Sequence, residues 1–349
     1  MSGNTGSRED ARPSVARMLA LVERHFGVRP ERISAPGGKG RDSLRVHLPG
    51  RTVIMTFRPD RRRRAREIVV LQRLAAAGAP VPRFLGEEGP VFFQEDLGSL
   101  RLSSRLEHAR ASGREELVRK LARLALASLV RLSDLAMRAG LDEIVPKMGL
   151  RAEWRRARVG RIATLSERLG VRPPQTDMDA FAAALRPRRL VFVKWDARAG
   201  NAAIHDRRVK WYDWEYCGLR DGLEDPAFLA ADEFWPLAPQ ETLALLATVR
   251  PLSEADRVWL ADYAVLHAVE RLGYIVEQVE KNGWIDEDRA RRQDRIGYAP
   301  RLLARLARHG AQWAALSRHG QALSPWFGEM EAALRERHPP PSPAATGPV

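Results

Sequence analysis

The stretch from Leu190 to Glu233 decides the fold of this chain, and it reads LVFVKWDARAGNAAIHDRRVKWYDWEYCGLRDGLEDPAFLAADE. Its apolar start, residues 190–193, predicts a short strand that leads into Asp196, and Asn201 follows in the next loop. A polar turn then separates two further predicted strands, which span residues 202–204 and 209–212. The second of them leads directly into Asp213. The pattern therefore places two carboxylates and one carboxamide at strand ends and in the loops between strands.

Side chains of this kind in this order suit phosphoryl transfer. Mg²⁺ takes oxygen ligands in proteins, usually one or two carboxylates together with substrate phosphates. A kinase needs one Asp to accept the proton of the attacking hydroxyl, and an Asn and a second Asp to hold the metal. Asp196, Asn201 and Asp213 fit these roles in chain order. The alternative is that Asp and Asn simply favour loops, which explains any one of them alone better than it explains the ordered set.

The same stretch resembles the catalytic core of the aminoglycoside phosphotransferase-like kinases, a group that includes choline kinase-type enzymes. Those kinases read His-Gly-Asp, four residues, Asn, a hairpin, Asp-Trp-Glu and later Asp-Pro. The matching residues here are Lys194-Trp195-Asp196, Asn201, Asp213-Trp214-Glu215 and Asp225-Pro226. The resemblance implies that Asp196 is the catalytic base, that Asn201 and Asp213 bind metal, and that Asp225 supports the catalytic loop. The chain departs from the pattern in the first triplet, where Lys194 and Trp195 replace His and Gly.

By this resemblance we expect an α+β fold of the protein-kinase-like, two-lobed type. The N-lobe would be an antiparallel sheet with one main helix, and the C-lobe would be large and mainly helical. The expected division is a flexible N-terminus over 1–13, a nucleotide-binding N-lobe over 14–97, a catalytic and acceptor-binding C-lobe over 98–337, and a disordered tail over 338–349. Apolar periodicity predicts further helices over 114–139, 151–169, 253–281, 298–309, 311–317 and 326–337. Asp60 is the predicted N-cap of a helix over about 60–77, and Ser253 is predicted to cap the helix over 253–281 in a box-like pattern with Asp256.

Two segments of the expected N-lobe are candidates for binding the nucleotide. A glycine-rich turn contains Gly37, Gly38 and Lys39, and backbone N–H groups in such a turn can approach phosphates closely. A plain surface turn is the alternative. The second segment resembles the hinge between kinase lobes, which binds the adenine edge through backbone groups. Glu95 and Leu97 are the hinge residues that we predict to contact the nucleotide.

The strand before the main N-lobe helix departs from the kinase pattern. In kinases it carries a Lys that contacts the nucleotide phosphates and pairs with a Glu of the following helix. Here the Lys position holds Thr56, and Arg58 lies two residues further along the same strand face. Either Arg58 or Lys39 could replace the missing Lys, and Glu67 stands where the pairing Glu is expected. Either replacement would rewire the site and could weaken ATP binding, so this departure favours a pseudokinase.

The acceptor side of the site is less defined by the sequence. Asp232 and Glu233 could line an acceptor pocket or could lie at an exposed helix end. Most of the aromatic residues in the stretch are expected to be core residues, with a minority facing a substrate; they are Trp195, Trp211, Tyr212, Trp214 and Trp235.

Composition narrows the class of protein. The 349 residues carry a formal net charge of +14, which argues against a polycationic substrate such as an aminoglycoside. The excess is almost all Arg, and no zinc finger, RNP aromatic pair or helix-turn-helix accompanies it, so a nucleic acid partner is not predicted. The single cysteine, Cys217, excludes an intrachain disulfide. No apolar run is long enough to span a membrane, and no secretory signal is recognised, so a cytoplasmic protein is expected.

Together these features predict a phosphotransferase that uses ATP and Mg²⁺ and acts on a hydroxyl of a small molecule, either a metabolite or an antibiotic. The alternative is a catalytically impaired, kinase-like nucleotide-binding or interaction module. Thr56 and Lys194 favour that alternative, whereas Asp196, Asn201 and Asp213 oppose it. The acceptor and the oligomeric state stay open, because a fold does not fix its substrate.

Overall fold

An antiparallel sheet of five strands forms the N-terminal part of the described chain. The computed structural model describes residues 13–35, 42–293 and 295–341, so Gly37, Gly38 and Lys39 lie outside the described residues. The strands are β1 (Arg32–Ser34), β2 (Ser43–Leu48), β3 (Arg51–Phe57), β4 (Phe84–Glu88) and β5 (Val91–Glu95). Their order in the sheet is β1-β2-β3-β5-β4. The predicted antiparallel N-lobe sheet is therefore confirmed.

Two helices flank this sheet, and each begins at a residue that suits a helix start. Helix α1 (Val15–Phe26) begins after Ser14, whose hydroxyl accepts a hydrogen bond from a backbone N–H in the first turn. Helix α2 (Arg61–Ala76) begins after Asp60, whose Oδ1 accepts a bond of 3.0 Å from a first-turn N–H. The predicted cap at Asp60 is therefore confirmed.

The sheet divides the apolar residues between two cores. Side chains alternate along a strand, so neighbours on β5 point to opposite faces. Val91 and Phe93 pack with α1 in the smaller core, whereas Phe92 packs in the larger core with Leu71 and Leu74 of α2. That larger core continues without a break into the helices that follow. Helix α2 therefore shares its core with the C-terminal part of the chain.

The C-terminal part is mainly helical. Its helices are α3 (Leu102–Ala111), α4 (Glu115–Arg138), α5 (Ala152–Val159), α6 (Arg161–Leu169), α7 (Met178–Ala184), α8 (Glu224–Ala230), α9 (Pro239–Val249), α10 (Glu254–Asn282), α11 (Glu287–Gln293), α12 (Pro300–Leu316) and α13 (Leu323–Arg337). Helix α10 starts with the predicted capping box, in which Ser253 and Asp256 bond each other's backbone N–H groups. In the described part of the chain, no helix combines the length and apolarity that crossing a membrane requires.

Four short strands lie in the stretch from Leu190 to Glu233. They are β6 (Leu190–Val193), β7 (Ala202–His205), β8 (Arg208–Trp211) and β9 (Gly218–Asp221). Strand β6 pairs with β9, and β7 pairs with β8 as the predicted hairpin. A single 3₁₀ turn, Ala199–Asn201, precedes the hairpin. The loop after β6 and the loop after β8 lie close together, because the Lys194 ammonium of the first donates to the Asp213 backbone oxygen of the second.

Two helix predictions were wrong in detail. The helix expected over 151–169 is two helices, α5 and α6, which are separated at Gly160. The break expected at Gly310 does not occur, and α12 runs through it. A Cβ at Gly310 would lie 2.7 Å from the ring of Phe327, so this glycine serves close packing against α13 and not a turn. The lobe boundaries at 13, 97 and 337 stay predictions.

Candidate active site

Asp225 holds the backbone of the predicted catalytic loop, the loop after β6, in place. Its carboxylate accepts hydrogen bonds from the backbone N–H groups of Lys194 and Trp195, each at 2.7 Å. Burial raises the pKa of Asp225 to about 6, against the two N–H donors, which lower it. This geometry agrees with a supporting role for Asp225. It holds the backbone directly before Asp196, so the direction of the Asp196 side chain is set.

Lys194 joins the two loops that carry the predicted site residues. Its ammonium is fully buried and donates to the backbone oxygens of Asp196 and Asp213, at 2.7 and 2.8 Å. A buried ammonium is tolerated only where its donors find acceptors, and these two carbonyls supply them. Sequence reasoning treated Lys194 as a departure and missed this role. A Lys that directly continues an apolar strand was the available signal.

Asn201 lies against Asp196. Its Nδ2 donates to the Oδ2 of Asp196 at 2.5 Å and to the backbone oxygen of the same residue at 3.1 Å. The amide nitrogen therefore orients the predicted base, and the amide oxygen is left for another partner. Asp213 follows β8 with a left-handed φ of 65°, which turns its carboxylate away from the strand. The structure thus brings Asp196, Asn201 and Asp213 together, as the sequence predicted.

Arg58 connects the sheet to this constellation. Its Nε lies 2.9 Å from Oε2 of Glu67 on α2, and its Nη2 lies 2.8 Å from Oδ1 of Asp213. Burial opposes the charge of Arg58, but Glu67, Asp213 and Glu215 together raise its pKa above the ordinary value. The guanidinium is therefore a fixed cation between the two lobes. It pairs with Glu67 of the following helix, the residue with which the resemblance to kinases expects a Lys to pair.

Thr56 carries no charge into this region and is fully buried. Its hydroxyl lies 3.0 Å from the Ser43 hydroxyl and accepts a longer bond of 3.4 Å from Gln94. The residue is thus part of a neutral hydrogen-bonded row across β2, β3 and β5. Thr56 therefore brings no cation to the cavity, whereas the Arg58 guanidinium lies on the cavity wall.

A cavity of about 230 Å³ opens between the lobes at this point. Its walls include Thr56, Arg58, Glu67, Glu95, Leu97, Asn201 and Asp213. Of the two predicted hinge residues, Leu97 is buried. The backbone N–H of Glu95 donates to the Arg83 carbonyl at 2.8 Å, and its carboxylate lies 3.2 Å from the Lys210 ammonium. The sequence missed Asp96, which receives two hydrogen bonds from Arg45, at 2.6 and 2.9 Å. This bidentate pair fixes the hinge to the sheet.

The side-chain oxygens of Asn201 and Asp213 fit a hard divalent cation only together with phosphate oxygens. Among the described residues, no group of three or more His, Cys, Asp or Glu side chains could hold a metal. Asn201 offers its amide oxygen, and Asp213 offers the carboxylate oxygen that Arg58 does not use. Two protein oxygens completed by substrate phosphates and water are what Mg²⁺ usually takes.

Several other acidic residues of the stretch are structural. Asp232 and Glu233 are almost completely buried, and each forms a salt bridge, with Arg198 and Arg271 respectively. They do not lie at an exposed helix end, so that alternative was wrong, and a place in the lining of an acceptor pocket stays a prediction. Burial raises the pKa of the Cys217 thiol to about 12, which leaves it unreactive at neutral pH.

The chain resembles known proteins in sequence and in fold. The model of the phosphotransferase enzyme family matches residues 34–263. No curated protein sequence matches the chain. Among solved structures, a choline/ethanolamine kinase family protein from Mesorhizobium loti is 17% identical with a TM-score of 0.51, covering 87% of this chain and 92% of that one. A spectinomycin phosphotransferase bound to ADP and spectinomycin is 11% identical with a TM-score of 0.54, covering 84% and 99%.

A third solved structure, an amicoumacin kinase complex with AMP-PNP and Ca²⁺, is 13% identical with a TM-score of 0.51 and covers 82% of this chain and 96% of that one. At such identities the likeness concerns the fold alone. It confirms the predicted kinase-like, two-lobed α+β class.

Proposed function

Because the chain belongs to the phosphotransferase enzyme family, we propose that it transfers the γ-phosphoryl group of ATP, with Mg²⁺, to a hydroxyl of a small molecule. The observation that carries the proposal is the meeting of Asn201, Asp213 and Arg58 at one interlobe cavity, with Asp196 hydrogen-bonded to Asn201. Acceptor, nucleotide and metal would meet there. The location in the cytoplasm stays a prediction.

Each residue has a definite part in this reaction. The acceptor oxygen bonds to the γ-phosphorus, and the bond from that phosphorus to the β–γ bridging oxygen breaks. The hydroxyl proton passes to the carboxylate of Asp196, which Asn201 holds in place. A bound Mg²⁺ would neutralise phosphate charge, held by Asn201 and Asp213. Catalysis by such sites is mostly positioning and charge stabilisation, and this loop provides both.

Arg58 takes the role that a Lys has in other kinases. Its fixed guanidinium lies on the cavity wall between the Glu67 and Asp213 carboxylates, where it can meet phosphate oxygens. A guanidinium binds phosphate through two parallel N–H groups, whereas an ammonium acts as a point charge. We propose Gly37, Gly38 and Lys39 as further phosphate contacts, and Glu95 and Leu97 as the hinge residues beside the adenine.

The test is the change Asp196→Asn, which removes the proton acceptor and keeps the shape. Loss of a general base lowers the rate by about 10²–10⁴-fold. The matched control is Asp206→Asn, because Asp206 lies at the exposed turn of the nearby hairpin and has a left-handed φ that Asn tolerates. ADP release from MgATP is measured over a panel of small hydroxyl compounds. Unchanged turnover in Asp196→Asn, with a folded protein, would refute the assignment.

A second measurement separates the enzyme from a kinase-like module that has lost catalysis. Calorimetric binding of ATP is compared with and without Mg²⁺, for the wild type and Asp213→Ala. Binding that depends on Mg²⁺ and fails in the variant supports the proposal. If ATP does not bind under either condition, Arg58 does not replace the missing Lys. That result would favour the catalytically impaired, kinase-like interaction module over the enzyme.

A further inference from the structure

A second cavity opens in the C-terminal part of the chain, separate from the interlobe cavity. Its volume is about 680 Å³, and it is lined by residues of α4, of the adjoining ends of β6 and β9, and of the segment between α9 and α10. Among the described residues, none lines both cavities. Small molecules bind in protein pockets of about 300–1,000 Å³, so this cavity has the size of a ligand site. The proposed phosphoryl transfer does not use it.

Three arginines from three different elements line this second cavity. Arg138 is the last residue of α4, Arg189 directly precedes β6, and Arg250 directly follows α9. In the part of the chain that the structure describes, no carboxylate lies within salt-bridge distance of any of these guanidiniums. The Arg250 guanidinium lies beside the end of β9, since a Cβ at Gly222 would be 3.9 Å from its Nη1. Cations that line one concave site repel each other and raise the local concentration of anions.

Most of the carboxylates in the same wall are already engaged. Asp221 accepts two hydrogen bonds from the Arg188 guanidinium, at 3.0 and 3.1 Å. Asp256 accepts one from Arg188 at 3.1 Å and one from the Ser253 hydroxyl at 2.9 Å. Of the lining carboxylates that the structure describes, only Asp134 has no hydrogen-bond or ion-pair partner, and it is exposed. The three arginines are therefore the charged groups that a ligand can use.

The lining also has an apolar part, which consists of the half-buried side chains of Val130, Met137 and Val191. A free inorganic ion would leave these side chains uncovered, whereas an organic group attached to the anion would remove them from water. Guanidinium groups bind phosphate through parallel N–H donors. Three of them around one cavity match the three terminal oxygens of a phosphate monoester, which carries nearly two negative charges at neutral pH.

We propose that this cavity binds the phosphate monoester of a small organic molecule. The phosphate lies among Arg138, Arg189 and Arg250, and the organic part packs against Val130 and Val191. This binding site goes beyond the proposed function and does not depend on it, because it uses a different cavity and requires no phosphoryl transfer.

Phosphorus NMR titration at one fixed ionic strength tests the site with three probes: butyl phosphate, butyl methyl phosphate and inorganic phosphate. The diester keeps the butyl group but has a single charge, and inorganic phosphate has the charge but no organic part. We expect butyl phosphate to bind about tenfold more tightly than the diester, which loses a charged oxygen. It should also bind about tenfold more tightly than inorganic phosphate, because its butyl group covers the apolar part of the lining.

A matched pair of glutamine variants on α4 locates the binding. Arg138→Gln should weaken butyl phosphate binding about tenfold, because it removes one charged donor from the site. Arg131→Gln is the control and should leave the affinity unchanged within about twofold. Arg131 is also exposed on α4 and has no ion-pair partner among the described residues, but it does not line the cavity. Asp134→Asn should tighten binding about threefold, because it removes the unpaired carboxylate.

The variant Arg189→Gln gives an independent check from outside α4 and should also weaken binding about tenfold. Equal affinities in Arg138→Gln and Arg131→Gln would overturn the proposal, because these arginines would then act only as surface charges. So would a diester or an inorganic phosphate that binds as tightly as butyl phosphate. Binding is measured without ATP, so the result does not decide whether the interlobe cavity supports phosphoryl transfer.

Discussion

Replacing Arg58 with Met should destabilise the protein strongly, because it leaves a buried carboxylate without its counter-charge. The Arg58 side chain is 7% exposed and that of Glu67 is 3% exposed, with 2.9 Å between their nearest nitrogen and oxygen. Removing one partner of such a buried pair costs about 3–5 kcal/mol. A whole domain is stable by about 5–15 kcal/mol, so the loss is a large share of the total.

The rescue variant is Arg58→Met with Glu67→Gln. The Gln removes the orphaned charge and still offers an oxygen to the Trp214 N–H, which donates to Glu67 at 3.2 Å in the wild type. We expect the double variant to regain more than half of the loss, since replacing both partners of a buried pair by neutral groups is often nearly neutral. Urea denaturation gives the free energy of unfolding for each variant.

The control for this cycle is Arg156→Met. Arg156 pairs with Asp179 at 2.8 Å, but the two side chains are 59% and 79% exposed, so this change should cost only about 0–1 kcal/mol. Two results would refute the reasoning. One is a loss below about 1 kcal/mol in Arg58→Met, and the other is a double variant as unstable as the single one.

Three further outcomes follow from the structure. Thr56→Lys should lower the free energy of unfolding and should not increase the affinity for MgATP, because it buries an ammonium while Glu67, its expected partner, is already paired with Arg58. Tighter MgATP binding in calorimetry would contradict this. Burial and then neighbouring arginines lower the pKa of His309 from 6.5 to about 3, so the unfolded state binds its proton first as the pH falls from 6.5 towards 3. Wild-type stability should therefore decline through that window by up to about 1.4 kcal/mol per pH unit from this residue, and His309→Asn should flatten the decline in urea titrations; parallel curves would exclude it. Gly310→Ala should cost about 1–3 kcal/mol, because its Cβ meets the Phe327 ring, whereas Gly328→Ala, with nothing within 4 Å, should stabilise α13 by about 0.4–1 kcal/mol; equal changes in Tm would contradict the packing argument.

Local patterns in the sequence predicted the parts of the fold that local physics decides. Apolar runs predicted the short strands around Asp196, and capping chemistry predicted the starts of α2 at Asp60 and of α10 at Ser253. The resemblance to kinases predicted the sheet of the N-lobe. The spacing of Asp196, Asn201 and Asp213 predicted their meeting, because a short strand and a tight hairpin leave the chain few other paths. Whether these residues act as assigned stays a prediction.

Long-range pairing is the part that the sequence did not reveal. Lys194 looked like a departure from the motif, because nothing local shows that two backbone carbonyls from separate loops meet at its ammonium. Asp232 and Glu233 looked available, because their Arg partners come from a different loop and from α10. Gly310 suggested a helix break, and only the position of Phe327 shows why a helix needs it.

The shared core of α2 has a consequence for how the protein opens. Because Leu71 and Leu74 pack in the larger core, α2 belongs to the same cooperative unit as the C-terminal helices, whereas the sheet and α1 close a smaller core of their own. Amide hydrogen exchange should therefore show the sheet opening first while α2 stays protected. We expect Glu67 to stay with α2 and Arg58 to move with the sheet, so their ion pair should break when the sheet opens.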